Sequence, residues 1–137
     1  APATDSGKGW YSGAKGGELA ISAVREREGI INHSPETFKA GDRFRLYVSL
    51  PTDSDQPVET EVVVFQGREI HFPYAARPKM YGGNMRPLPD AFQFTGAQST
   101  QVCIAAGDNL PSRQRILQLG KQALPISTVC IRLHPEK

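Results

Sequence analysis

Hydrophobic and polar residues alternate along much of this chain with the period of two that is typical of β-strands. The clearest segment is residues 42–50, DRFRLYVSL, in which every second residue from Phe44 to Leu50 is apolar. This pattern predicts an antiparallel strand with one buried face and one solvated face. Residues 58–66 begin with the same alternation and end apolar on both faces, which predicts an interior strand.

Shorter segments with the same pattern complete the predicted set of strands. They are residues 19–25, 68–72, 91–95, 99–106 and 127–134. Gln66 and Gly67 allow a tight turn, so we expect residues 58–66 and 68–72 to form a hairpin.

Two short helical pieces are expected between the strands. Ser34, Pro35 and Glu36 form a helix-start signal, but Gly41 follows so soon that one turn is the most we expect. Residues 112–119 predict a better helix, with Ser112 as the N-cap and Gly120 closing the C-terminus. We expect the apolar residues of this helix to cover one end of the sheets. They are Ile116, Leu117 and Leu119.

The order of these elements predicts an all-β fold, an antiparallel β-sandwich of Ig-like or C2-like type with one short helix and a long basic loop. A chain of 137 residues corresponds to one domain by length. Thirteen glycines and eleven prolines favour turns over long helices. We predict a flexible Gly-rich lead-in over residues 1–17 and a single β-sandwich domain over residues 18–137.

Residues 71–90 interrupt the strand pattern, because they join two predicted strands through a segment too long for an ordinary turn. The segment holds four prolines, two tyrosines, two methionines and three basic side chains, and its only acid is Asp90. Tyr, Arg and Met are enriched at the cores of protein interfaces, and Tyr with Arg also suits stacking on sugars or bases. The alternative is that the loop folds over a sheet edge and serves the fold. The candidate binding residues are Tyr74, Arg77, Lys79, Tyr81 and Arg86.

The net charge of +2 conceals an asymmetry between the two halves of the chain. Residues 1–70 carry eight basic and eleven acidic side chains, whereas residues 71–137 carry eight basic and three acidic ones. A basic half suits an anionic partner such as nucleic acid, an acidic polysaccharide or lipid headgroups, and the alternative is ordinary charge scatter. The basic residues form no run of five or more, which favours charge scatter over a dedicated polyanion site, and nucleic acid is not the partner that we expect.

Cys103 and Cys130 occupy equivalent positions in two similar strand segments, Val-Cys-Ile in each case. If the two strands pair with the cysteines opposite each other, a small adjustment gives disulfide geometry. Such a bridge indicates an oxidising compartment. The alternative, which stays open, is a pair of buried thiols.

Catalytic and metal-binding patterns are weak. Three scattered histidines, without His-x-His or Cys-x-x-Cys spacing, argue against a metal centre, and we predict no cofactor. Glu59 and Glu61 share one face of a strand and could serve acid/base chemistry, although we expect a solvent-facing stripe instead. No segment is long and apolar enough to span a bilayer.

The pattern from Lys39 onward also resembles a known kind of module. A Lys-Ala-Gly-Asp turn leads into residues 44–50, a Val-rich strand and the Gly67 turn follow, and Leu88-Pro89 precedes Phe92 and Phe94. Over about residues 39–106 this is similar to a poorly characterised bacterial β-sandwich module appended to envelope anti-sigma factors and caspase-like peptidases. The resemblance implies a non-catalytic sensor or interaction module outside the membrane.

These observations lead to one preferred function and two alternatives. We expect a binding or interaction module, periplasmic or secreted, that engages a protein or an anionic glycan through residues 74–87. The first alternative is a small hydrolase of cell-wall or polysaccharide substrates that uses Glu59 and Glu61. The second is nucleic-acid binding by the basic half of the chain.

Overall fold

Two β-sheets face each other across an apolar core. The computed structural model describes residues 12–13, 19–33, 35–50, 56–94 and 98–136. The predicted lead-in therefore lies outside the described residues, except for a short strand at Ser12–Gly13. The strands are β1 (Ser12–Gly13), β2 (Ala20–Arg27), β3 (Ile30–Asn32), β4 (Thr37–Phe38), β5 (Arg43–Leu50), β6 (Val58–Gln66), β7 (Glu69–His71), β8 (Lys79–Met80), β9 (Gly83–Pro87), β10 (Thr100–Ala106) and β11 (Val129–Pro135). The helices are α1 (Arg113–Leu119) and a 3₁₀ turn at Gly120–Ala123.

The first sheet has the strand order β1-β2-β5-β9, with β3 also paired to β2, and the second has the order β4-β11-β10-β6-β7, with β8 also paired to β6. The pair of β4 with β11 is parallel, and the other pairs between named strands are antiparallel. The predicted all-β sandwich with one short α-helix is confirmed.

The alternating pattern of β5 decides which side chains enter the core. Phe44, Leu46 and Val48 are at most 1% exposed. They belong to one apolar cluster with Val62 and Ile104 from the facing sheet. Burying each of these side chains contributes on the order of 2 kcal/mol, so the alternation of β5 stabilises the sandwich by orienting three large apolar side chains into the core.

The predicted hairpin between β6 and β7 is confirmed. Gln66 pairs with Glu69, so Gly67 and Arg68 make a two-residue turn. Gly67 has φ +58°, in the left-handed region that glycine adopts without steric cost.

The helix at α1 begins and ends as its sequence predicts. The Ser112 hydroxyl accepts a hydrogen bond from the Arg115 N–H, and the Gly120 N–H donates to the Ile116 carbonyl. Ile116 is fully buried, but Leu117 and Leu119 are 55% and 43% exposed, so the expectation that all three cover the sheets is wrong. A seven-residue helix buries one narrow face. Because successive residues are rotated by about 100° around the helix axis, the side chains next to Ile116 in sequence point away from that face.

Two expectations about local structure are wrong. Pro35 and Glu36 are not helical, and the chain continues into β4, since the fixed φ of proline suits an extended backbone as well as a helix start. Of the strand predicted at residues 91–95, residues 91–94 are described, and they form a single bridge in which Phe44 and Phe92 exchange two backbone hydrogen bonds of 2.8 and 2.9 Å.

The disulfide between Cys103 and Cys130 is present. The two residues lie directly opposite each other in the β10–β11 pair, with their Cα atoms 4.0 Å apart. Among the described residues, no helix has the length and apolar character needed to cross a membrane.

Candidate functional site

Residues 72–90, named here the crossing segment, pass from one sheet to the other. Strand β8 pairs with β6 of the second sheet, and β9 pairs with β5 of the first. The Pro78 carbonyl accepts hydrogen bonds of 2.8 Å from both the N–H and the hydroxyl of Thr60. Met80 and Leu88 are buried in the core. The long loop predicted from the sequence is therefore partly strand, and both sheets fix its backbone.

The structure divides the five candidate binding residues into two groups. Tyr74 is 6% exposed and its hydroxyl donates a 3.0 Å hydrogen bond to the Asp90 carbonyl. Burial raises the pKa of Tyr74 above its usual value. Arg77 points into an ion-pair cluster, and its side chain is 20% exposed. Three candidates lie at the surface, namely Lys79, Tyr81 and Arg86.

Glu61 is the centre of that ion-pair cluster. It lies on the outer face of β6, and its side chain is completely buried. Arg77 Nε lies 2.7 Å from Glu61 Oε2, while Arg113 reaches Oε2 and Oε1 at 2.9 and 3.0 Å. The two guanidinium groups therefore occupy both oxygens of one carboxylate, the arrangement that a buried charge requires.

The same two arginines also hold the backbone of neighbouring segments. Arg113 donates to the carbonyls of Tyr74 and Ala75 at 2.7 and 2.9 Å, and its guanidinium lies 4.7 Å from the centre of the Phe72 ring. Arg77 donates to the carbonyl of Pro111. The cluster therefore fastens the crossing segment and the start of α1 to the outer face of β6.

This arrangement corrects the expectation of a solvent-facing acidic stripe. Glu59 is 41% exposed, but Glu61 is buried and both its oxygens are occupied by arginines. A carboxylate held in this way has no free oxygen for a substrate or a water, so the geometry does not favour the hydrolase alternative. The sequence held a signal for this outcome, because β6 is apolar on both faces near its end and an acid on a strand covered on both sides needs cationic partners.

A second cluster, which the sequence reasoning missed, joins three distant parts of the chain. Arg27 contacts Asp42 through two 2.7 Å hydrogen bonds and Glu136 at 2.6 Å. These hydrogen bonds stabilise the charged form of every partner. They lower the pKa of Asp42 and of Glu136 and raise the pKa of Arg27. The Glu136 carboxylate also accepts a 2.7 Å bond from the Thr37 hydroxyl. The cluster ties the end of β11 to β2 and to the turn before β5.

The described residues contain no arrangement that resembles a catalytic or metal site. No group of three His, Cys, Asp or Glu side chains among them could hold a metal ion. Ser99 Oγ lies 3.1 Å from His134 Nδ1, but no carboxylate in the described part of the chain orients that imidazole as a hydrolytic triad requires.

Compared with protein families, with curated proteins and with solved structures, the chain matches none of them. The resemblance to an envelope sandwich module therefore stays a prediction.

Proposed function

We propose that this chain is a non-catalytic binding module, and that the exposed part of the crossing segment contacts the partner. The contact residues are Lys79, Tyr81 and Arg86. The observation that carries the proposal is the position of Tyr81, which is 54% exposed between two strands that are paired to different sheets. An exposed aromatic side chain on a fixed backbone loses little conformational freedom on binding, which favours affinity.

We propose a protein with an acidic surface as the partner. Tyr and Arg, together with Trp, are the residue types enriched among those that dominate binding energy in protein interfaces. Among the described strands of the first sheet, β9 lies at an edge, and an edge strand can accept an added strand from a partner. Lys79 and Arg86 add positive charge beside that edge.

A periplasmic or extracellular location is part of this proposal. The disulfide supports it, because disulfides persist in oxidising compartments and are rare in the cytosol. A binding module in such a compartment also agrees with the function implied by the envelope modules that the sequence resembles.

The test compares two double variants, each of which replaces one exposed apolar or aromatic side chain and one arginine with alanine. Tyr81→Ala with Arg86→Ala removes an exposed apolar side chain and a cation from the crossing segment. Leu117→Ala with Arg115→Ala removes the same two kinds of group from the exposed face of α1. Circular dichroism and thermal unfolding establish that both variants keep the wild-type fold.

Affinity capture from envelope extracts and titration of the captured protein provide the measurement. We expect the wild type and the α1 variant to retain the same partner. The crossing-segment variant should weaken that partner's binding by about 100-fold, corresponding to about 3 kcal/mol for a central aromatic and arginine pair. Equal retention by both variants would overturn the proposal.

A further inference from the structure

A polar groove of 640 Å³ lies on the outer face of the second sheet, at the end that α1 leaves uncovered. One cross-strand row of side chains forms its floor, since Arg132 pairs with Gln101, Gln101 with Phe65, and Phe65 with Ile70. Residues directly opposite each other in neighbouring strands project to the same face of a sheet. The floor therefore crosses four strands, from β11 to β7.

Two walls rise from this floor. The end of α1 and the 3₁₀ turn supply Leu119 and Lys121 on one side. The β6–β7 turn supplies Arg68 on the other, next to Gln98. The Lys121 ammonium donates a 2.9 Å hydrogen bond to the side-chain carbonyl of Gln101, which joins one wall to the floor. The groove is thus held by secondary structure on both sides.

The groove carries a surplus of positive charge. Arg68, Lys121 and Arg132 line it and are exposed, whereas Glu69 is the one acid among the described residues that line it. Glu69 itself lies 3.0 Å from the imidazole of His71. Within the part of the chain that the structure describes, no salt bridge joins any of the three cations to a carboxylate. Their charges are therefore available to an anionic ligand.

The remaining lining groups favour a sugar. Side-chain amides donate and accept hydrogen bonds, as ring hydroxyls require, and the groove contains three of them, Gln98, Gln101 and Gln122. The half-buried Phe65 ring offers a flat apolar surface in the middle of the floor. Strand addition by an acidic peptide is not favoured here, because the adjacent strand β7 has only three residues with which to pair.

We infer that this groove binds an acidic oligosaccharide, whose carboxylates contact Arg68 and Arg132 and whose hydroxyls contact the glutamine amides. Its volume lies within the range of small-molecule binding sites. The inference concerns a surface with no residue in common with the proposed protein-binding residues, so either can fail without the other.

The probe is a tetramer of galacturonic acid, titrated into the protein by isothermal calorimetry. The variant Arg68→Gln with Arg132→Gln removes two groove cations, and the control Arg43→Gln with Arg115→Gln removes two exposed cations elsewhere. We expect the groove variant to bind about 100-fold more weakly, because each of the two lost charged hydrogen bonds weakens binding about tenfold. The control should bind as the wild type does. Binding should also weaken as salt rises from 50 to about 500 mM, because these cations are exposed.

Three outcomes with the sugar probes would overturn the inference, and a fourth concerns a peptide probe. The first three are the absence of binding by the wild type at millimolar tetramer, equal binding by the wild type and the groove variant, and equal binding of the neutral tetramer of glucose. A hexaglutamate peptide that binds while galacturonate does not would also overturn it, in favour of an acidic peptide. The Tyr81→Ala, Arg86→Ala variant should bind galacturonate as the wild type does, which separates this site from the protein-binding surface.

Discussion

Replacing Glu61 with glutamine should destabilise the fold more than the same change at Glu59, the other acidic residue of β6. The substitution keeps the size and shape of the side chain but removes the negative charge that Arg77 and Arg113 share. The new amide retains one oxygen as an acceptor and replaces the other with a donor, which faces guanidinium N–H groups that also donate.

The magnitude follows from the contacts. The carboxylate accepts three short charge-assisted hydrogen bonds, two at Oε2 and one at Oε1, and each such bond contributes about 1.5–3 kcal/mol. An amide oxygen in the place of Oε2 keeps two of these contacts without the charge that strengthens them, and the third is lost. The side chains of Arg77 and Arg113 are 20% and 29% exposed, so water can replace part of the hydrogen bonding that their guanidinium groups lose. We therefore expect a loss of about 3 kcal/mol in the free energy of unfolding, at the lower end of the cost of breaking a buried ion pair.

Urea unfolding of the oxidised protein, followed by circular dichroism, provides the measurement. A loss of about 3 kcal/mol with a slope of about 1.5–2 kcal/mol per molar urea lowers the midpoint by about 1.5–2 M. The matched control is Glu59→Gln on the same strand and the same face. Glu59 is 41% exposed and lies 3.7 Å from Arg77, so its replacement should change the unfolding free energy by less than about 0.5 kcal/mol.

Equal midpoints for the two variants would refute the reasoning. So would a Glu61→Gln variant that stays within about 1 kcal/mol of the wild type. Either result would mean that the arginines are as stable facing water as facing the carboxylate, and that the cluster does not fasten the crossing segment.

Two further predictions concern the other cross-links of the fold. Replacing Cys103 and Cys130 together with alanine should lower the free energy of unfolding by about 3.5 kcal/mol, because the bridge closes a loop with a sequence separation of 27; an unchanged midpoint in chemical denaturation would contradict this. The hydrogen bonds from Arg27 lower the pKa of Asp42 in the folded state. Their contribution to the free energy of unfolding is therefore fully present above the pKa of Asp42 in the unfolded chain, about 4, and is lost as the pH falls through its lower pKa in the folded protein. Asp42→Asn should therefore be less stable than the wild type at pH 7 and should lose less stability between pH 7 and pH 3. Urea unfolding at several pH values measures this. Equal losses of stability in the two proteins would count against the ion pair.

The parts of the fold that the sequence predicted well depend on neighbouring residues. The strand at residues 58–66 coincides with β6, and the helix predicted at residues 112–119 has the expected caps at Ser112 and Gly120. The equivalent strand positions of Cys103 and Cys130 allowed either a bridge or two thiols, and the pairing of β10 with β11 places the two residues opposite each other. The segment around Phe92 was predicted less well, because a strand requires a partner along its whole length, and among the described residues Phe44 alone pairs with it.

The candidate site was harder to predict, since exposure depends on residues far away in the chain. Tyr74 and Tyr81 belong to the same basic segment, yet one is 6% and the other 54% exposed. Nothing in the local composition distinguishes them. The path of the crossing segment between the two sheets determines which side chain turns inward.

The sequence by itself determined the alternating strands β5 and β6, the turn at Gly67 and the caps of α1, because alternation and turn chemistry act over a few residues. It left the disulfide open, because the bridge depends on the register between β10 and β11. Tertiary structure alone decided which charges are buried and which are available. Glu61 and Arg113 are 52 positions apart, and only the folded chain brings a guanidinium within 3.0 Å of that carboxylate. The groove floor from Arg132 to Ile70 likewise exists only when four strands align in register, because its side chains come from segments that are adjacent in the sheet and mostly distant in the chain.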